Sequence, residues 1–206
     1  MLVSNPLLPC VAVSYDSPTF SDLRYFLKSD HGIDLGRVEP NDLTNNPDQQ
    51  YINLITDMSK RREVSDQLDQ YGLLRFSYIH PTTTIIDFGT QIENGLFMYP
   101  NAVIYSNTQI GRDVLVHFGS AIAHNVKIGR GTYISGGAII AGTTTIGEFC
   151  WFGLHSAVSD RVTLTDNVIV GAHTFIRKSI SKPGTYSESH RVTRCDSISA
   201  ELIKKC

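Results

Sequence analysis

The stretch IAHNVK IGRGTY ISGGAI IAGTTT IGEFCW, residues 122–151, is five six-residue blocks, each opened by isoleucine. The beat continues outward on both sides, with openers at Ile86, Ile92, Met98, Ile104, Ile110, Val116, Phe152, Val158, Leu164, Val170 and Ile176. From Ile86 to Ser181 this makes sixteen blocks, read here as keeping one register throughout. A second small or medium side chain sits four residues into most blocks, as at Val114, Ser120, Val126, Thr132, Ala138 and Thr144. A helix repeats every 3.6 residues and an amphipathic strand every two, so neither produces this pattern. A β-solenoid does. Three blocks close one coil of eighteen residues, and residues i and i+18 stack in a column with the ~4.8 Å spacing of hydrogen-bonded strands. Block openers then point inward, and Gly, Asn and Asp gather at corners where positive φ costs little.

The flanks read differently. Residues 1–80 suggest strand, helix, strand, helix, strand. Cys10–Val13 is a short apolar run, and Phe20–Lys28 has helical spacing after Ser17-Pro18. Asn41–Gln50 is a polar loop and Tyr51–Ile55 a strand. Ser59–Tyr71 is a helix with Val64 and Leu68 on one face, ended by Gly72, and Leu73–Ile79 returns to strand. That order predicts a small α/β domain with a parallel sheet. The solenoid is assigned to 81–181. Lys182-Pro183-Gly184 breaks the pattern, so 182–206 is read as a tail, with a short helix over Asp196–Lys205.

The net charge of −2 argues against nucleic acid as the main partner. Eighteen charged residues precede Ile86, but only eleven fall between Ile86 and Arg177. A repeat region so poor in charge points to faces buried against copies of the same chain. Cys10, Cys150, Cys195 and Cys206 show no metal-ligand or disulfide-framework spacing. No stretch approaches a membrane span and no leader pattern opens the chain, so a cytoplasmic protein is expected.

Stacking converts the sequence into columns. One holds Phe88, Ser106, His124, Gly142, Asp160 and Lys178. It puts an imidazole, whose ordinary pKa suits proton transfer near neutrality, one coil from a glycine whose backbone N–H is open to a carbonyl oxygen. A base beside an oxyanion donor is the minimum equipment for acyl transfer; a solvated structural histidine is the alternative. A second column holds Tyr99, His117, Ser135, Gly153 and Gly171, where His117 either contacts an acceptor or caps a corner. A third stacks Phe97, Leu115, Tyr133 and Trp151, read as an aromatic ladder buried between subunits rather than a ligand shelf. His155 and His173 also stack, but no third ligand joins them, so no metal is expected.

With these residues in view, the chain resembles the hexapeptide-repeat acyltransferases, whose solenoid is a left-handed parallel β-helix. More narrowly it resembles the bacterial sugar acetyltransferases of the sialic-acid O-acetyl and bacillosamine N-acetyl type. Three features carry this: Tyr78-Ile79-His80-Pro81-Thr82 at the junction, the block from Ser120 through His124-Asn125 to Gly129, and a small α/β domain ahead of the solenoid. The resemblance implies His124 as general base, with Asn125 beside it, and Gly142 as the oxyanion donor. Acetyl-coenzyme A would be the acyl donor, lying in a groove between two solenoids of a homotrimer. Gly142, Gly153, Gly171, Ala172 and Lys178 would line its site. His117 and Tyr133 are the candidate acceptor contacts. The acceptor would be a small-molecule amino sugar, nucleotide-linked, for surface glycan.

The chain departs from this family pattern in places. Asn125 replaces an acidic residue after the histidine, supplying orientation without charge. Val13-Ser14-Tyr15-Asp16-Ser17-Pro18 replaces a glycine-rich phosphate loop. Sugar O-acetylation, a non-catalytic β-helix subunit and a three-histidine carbonic anhydrase remain as other readings.

Overall fold

The computed structural model describes residues 2–3, 8–15 and 17–187. It is a parallel β-solenoid preceded by a small α/β unit, in the order the sequence implies. The expected helix over 196–205 lies outside the described residues.

In the α/β unit, helix α1 (Pro18–His31) starts where the Ser17 side chain accepts from the Phe20 N–H, with proline in its first turn. It ends at Gly32, whose φ of 68° lets its N–H turn back to the Leu27 and Lys28 carbonyls. Helix α2 (Met58–Gln70) is capped by Asp57 and buries Met58, Arg61, Val64, Ser65 and Leu68, the i, i+3, i+4 stripe of one face. The parallel sheet has the order Gly36–Val38, Cys10–Val13, Gln50–Asn53, Leu74–Arg75. Gly36–Val38 is a strand that the sequence pattern does not announce. It is short and sits at the sheet edge, so nothing demands an apolar alternation there.

The solenoid is a three-faced prism. Its first face carries Ser77–Ile79, Phe97–Met98, Leu115–Val116, Tyr133–Ile134, Trp151–Phe152, Val168–Val170 and Gly184–Tyr186. The second runs from Thr84–Ile85 through Val103–Ile104, Ala121–Ile122, Ile139–Ile140 and Ala157–Val158 to Phe175–Ile176. The third runs from Gln91–Ile92 through Gln109–Ile110, Lys127–Ile128 and Thr145–Ile146 to Thr163–Leu164. Block openers from Met98 to Ile176 are buried in one continuous core. Through the middle of the prism each rung pairs with the residue eighteen positions on, as Ala121↔Ile139 and Lys127↔Thr145.

Uniform register fails at both ends. Ile104 pairs with Ile85, not Ile86, and Ile86 is exposed. The Ile86 N–H donates to Ile104 as the first rung requires, whereas Phe88 already accepts from Asn107 in the regular phase, so Asp87 is an added residue. At the far end Val170 pairs with Tyr186 and Leu164 bridges Ile180, offsets of sixteen. The segment expected to break away at Lys182–Gly184 thus returns as a closing strand. The expected strand Leu73–Ile79 divides in two: Leu74–Arg75 joins the α/β sheet, and Ser77–Ile79 is the first rung of the prism.

The first face is covered by the α/β unit. Phe97, Tyr99, Leu115 and Tyr133 share a buried cluster with Phe20, Leu23, Leu27, Leu54 and Met58. The aromatic ladder read as a contact between subunits is therefore an internal joint. Two tyrosines of this face donate to α1, Tyr78 to Asp30 at 2.5 Å and Tyr99 to Asp22 at 3.0 Å. Arg61 of α2 is fully buried. Its Nε donates to the Gly131 carbonyl at 2.9 Å and its Nη1 to the Asn53 and Ile55 carbonyls at 3.0 and 2.8 Å, and its Nη2 reaches the Asp113 carbonyl. The Asp113 carboxylate, also buried, accepts from Arg75 Nε at 2.9 Å and from the Ser65 hydroxyl.

Replacing Arg61 by Met leaves four inward carbonyls without their donor. Urea unfolding is expected to show a loss of about 3 kcal/mol. A loss under about 1 kcal/mol would show that the joint holds without it.

Candidate functional site

The corner between the second and third faces carries His124 and Asn125, both exposed. Asn125 takes φ 58°, a left-handed conformation that asparagine tolerates, and this turns the chain onto the third face. The His124 ring lies over Gly142 of the next coil. A Cβ added at Gly142 would sit 2.8 Å from Cε1 and 2.9 Å from Nε2 of that ring, so only glycine admits the imidazole here. The Ala141 N–H is spent on the Val158 carbonyl and the Thr143 N–H on that of His124. Among the described residues the Gly142 N–H between them has no backbone partner. The expected base and oxyanion donor are therefore side by side. The Asn125 amide touches His124 Nδ1 at 2.9 Å, which leaves Nε2 on the side of Gly142.

The remaining candidates lie elsewhere on the prism. Gly153 and Gly171 are buried at the corner between the first and second faces, and Ala172 beside them is exposed. A Cβ on Gly153 would stand 2.4 Å from the Ala172 nitrogen, so this pair of coils packs backbone to backbone. Within one chain this corner and the His124 corner are opposite edges of the second face. Lys178 is exposed after the last rung of that face, in a groove with Phe175, Ser179 and Tyr186.

His117 ends a rung of the first face. Its ring stacks on Tyr99 at 3.9 Å and 15°. Its Nδ1 is shielded and has no hydrogen-bond partner among the described residues. Burial pushes its pKa below the ordinary value, against the opposing pull of Asp22. Tyr133 is 8% exposed and belongs to the joint with the α/β unit, where burial pushes its phenol up and Arg61 pulls it down. His117 and Tyr133 approach each other at 6.2 Å between rings, on the far side of the second face from His124. His155 and His173 stack at 5.4 Å. No group of three or more His, Cys, Asp or Glu among the described residues is placed to hold a metal. No helix among them is long and apolar enough to cross a membrane.

One polar residue of this corner escaped the sequence reading. Asn107, eighteen residues before Asn125, donates from its amide nitrogen to Asn125 Oδ1 at 2.5 Å. The column rule that paired His124 with Gly142 applies equally to this pair and would have found it.

Comparison with known proteins sets this geometry in context. Residues 107–142, which span His124 through Gly142, match the bacterial transferase hexapeptide family model of six repeats. Comparison with curated protein sequences returns no match. Among solved structures, PerB from Caulobacter crescentus, determined in complex with CoA and GDP-perosamine, has a TM-score of 0.78 at 15% identity, covering 93% of this chain and 100% of that one. The acetyltransferase domain of PglB from Neisseria gonorrhoeae, in complex with acetyl coenzyme A, gives 0.74 at 20% identity, covering 91% and 100%. WeeI from Acinetobacter baumannii gives 0.64 at 14%, covering 90% and 100%. At these identities the likeness is one of fold, and it extends over the α/β unit as well as the solenoid.

Two outcomes are expected. In Gly142→Ala the new methyl displaces the imidazole, and a crystal structure of the variant will show the 2.9 Å contact between His124 and Asn125 broken on an unchanged backbone. Burial lowers the His117 pKa in the fold below its ordinary value of 6.5, so the unfolded chain binds the proton first as pH falls. Stability is thus lost below that pH. His117→Phe, which keeps the stack on Tyr99, should remove this slope in urea unfolding compared between pH 8 and pH 5; an unaltered slope would assign it to other groups.

Proposed function

We propose that this chain is an acetyl-coenzyme A-dependent acetyltransferase acting on the amine of an amino sugar, presented as a nucleotide conjugate for glycan synthesis. The observation that carries the reading is the His124 imidazole packed against Gly142, whose N–H has no backbone partner among the described residues. The amine nitrogen attacks the thioester carbon, and neutral His124 takes the proton that the nitrogen sheds. The oxygen of the tetrahedral intermediate accepts from the Gly142 N–H. Collapse breaks the carbon–sulfur bond, and the imidazolium returns its proton to the leaving thiolate. The products are the amide and coenzyme A thiol. The solved structures of like fold bound to CoA, acetyl coenzyme A and GDP-perosamine support the same donor and acceptor classes here.

Asn125 favours an amine over a hydroxyl. An amine attacks with its own lone pair and needs a base only afterwards, so an imidazole oriented by a neutral amide suffices. A hydroxyl must be deprotonated as it attacks and gains more from a charged partner on the ring.

The site is completed by a second copy of the chain. The outward column of the second face is Thr84, Val103, Ala121, Ile139, Ala157 and Phe175, with Thr84, Ile139 and Phe175 exposed. None of these side chains is charged, whereas the third face shows Lys127; the Arg177 guanidinium lies 5.0 Å from the Phe175 ring at the last rung. An uncharged apolar face of this kind suits a closed homotrimer. Packing it against a neighbour draws the Gly153, Gly171 and Ala172 edge of one prism toward the His124 edge of the next, with pantetheine between them. His117, beside the first edge, faces the acceptor side, and Lys178 lies within reach of the coenzyme phosphates. In this arrangement the protein is cytoplasmic, where both substrates are made.

A thiol-release assay with acetyl-coenzyme A against nucleotide-linked amino sugars and simple sugars tests the reading. Release with the amino sugars alone is expected. His124→Ala should retain coenzyme binding and lose turnover by at least about 100-fold. Turnover undiminished in that variant would remove His124 from the chemistry, and a wild type inert toward every acceptor would leave a binding subunit. Light scattering that gives a monomer would remove the groove between subunits.

A further inference from the structure

We infer that Tyr105, with Phe88 beside it, is the platform on which the acceptor sugar stacks, so that this end of the His124 corner sets acceptor specificity. The inference deepens the proposed reaction and rests on it for the identity of the two substrates. It starts from an exposed apolar patch fixed by strand register. Ile85 pairs with Ile104, which sets Ile86 against Tyr105 on the next rung. The Phe88 carbonyl accepts from the Asn107 N–H at 2.7 Å, which sets Phe88 one coil before Ser106. Ile86, Tyr105 and Phe88 are 40%, 46% and 82% exposed. The added residue Asp87 makes a one-residue bulge between Ile86 and Phe88, a device that re-aims the side chains beside it. The Thr90 hydroxyl ties the bulge down by donating to the Ile86 carbonyl at 2.9 Å. Among the described residues, neither the Tyr105 nor the Phe88 ring packs on another ring, and the Tyr105 and Ser106 hydroxyls have no hydrogen bond.

The corner has two unlike ends. Eighteen-residue steps give one column of Tyr105, Ala123, Ala141, Ser159 and Arg177, and beside it Ser106, His124, Gly142, Asp160 and Lys178. Around His124 and Gly142 the neighbours are only methyl groups, Ala123 and Ala141. Beyond them, about two coils or ~10 Å from Gly142, stand Arg177 and Lys178, both exposed and neither paired with a carboxylate among the described residues. A coenzyme whose phosphates lie at the far end of a long arm is drawn toward that cationic end while its thioester rests at Gly142. The acceptor is left the other end, where no cation stands and where Tyr105 lies about one rung spacing, ~4.8 Å, from Ala123. A pyranose presents there a face of C–H bonds, which suits the electron-rich face of an aromatic ring. Its edge hydroxyls can meet the free Ser106 hydroxyl, and an amine on the edge nearest the next coil comes within reach of His124. A neighbouring subunit suits the patch less well. Asp87 carries an exposed, unpaired carboxylate within it, which a dry contact would strip of water and a sugar leaves solvated.

The test is saturation-transfer NMR on the full-length chain, with glucosamine as the probe and no coenzyme, which reads binding without turnover. Irradiating the aromatic protons of the wild type should saturate the C–H protons of one sugar face. Tyr105→Phe should behave as the wild type, and Tyr105→Ala should weaken glucosamine binding about tenfold. Glucosamine that gains no saturation from the wild type, or that binds Tyr105→Ala unchanged, overturns the inference. Light scattering of Tyr105→Ala should give the wild-type mass; dissociation would assign the patch to a contact between subunits and overturn it too. With the acceptor found by thiol release, Tyr105→Ala should raise the acceptor KM about tenfold and leave that of acetyl-coenzyme A unchanged. Equal rises in both would count against a platform for the sugar. A wild type that binds glucosamine through Tyr105 yet releases no thiol with any acceptor would defeat the proposed reaction and leave the sugar platform standing.

Discussion

The structure depends on a guanidinium without water around it. Burial lowers the pKa of Arg61 to about 10, with Asp113 pulling the other way, so it stays charged at neutral pH. A charge so placed is tolerated only when its donors are fully engaged. The four carbonyls it engages come from both parts of the molecule: Asn53 and Ile55 from the α/β unit, Gly131 and Asp113 from solenoid corners. No sliding or rotation of one part on the other keeps all four. The arginine thus fixes more than stability. It assigns the first face of the prism to the α/β unit and leaves the His124 corner, between the second and third faces, outside that joint.

Around this point the contact widens into a charged rim. Asp69 of α2 meets Arg75, Arg112 and Arg130, and Arg130 reaches on to Asp66 and Glu148. The Arg62 guanidinium carbon lies over the Phe149 ring, 3.8 Å from its centre, and Arg62 donates to Asn167. The rim is partly exposed, and each pair alone contributes little. Its arginines are shared among several carboxylates, which specifies orientation rather than adding a large stabilisation.

The solenoid and the pairing of His124 with Gly142 were legible because a six-residue repeat makes distance in sequence a measure of distance in space. The same property explains what was missed. Periodicity assigns residues to columns but does not say what covers a face, so Phe97, Leu115 and Tyr133 looked like a surface awaiting another subunit. Their cover comes from helices that Arg61 helps to fix in place, and in sequence that arginine is one of many polar residues on α2. Ile86 satisfied the pattern as an apolar residue in the right place, and only hydrogen-bond phase showed that Ile85 occupies the core. Asn107 was visible to the column rule, yet asparagine is common at corners, and its link to His124 needed side-chain positions.

The irregular ends carry a consequence for solubility. A prism of identical rungs would end in bare strand edges matched in phase to its own opposite terminus, an invitation to unlimited head-to-tail growth. Here Leu2–Val3 runs antiparallel along Ser77–Ile79, a direction no further parallel rung continues. The added Asp87 and the shortened return to Tyr186 put the two termini out of phase with each other. Among the described residues, both ends of the prism thus depart from the eighteen-residue register of its middle, the first rung in pairing antiparallel with Leu2–Val3 and the last in its shortened return.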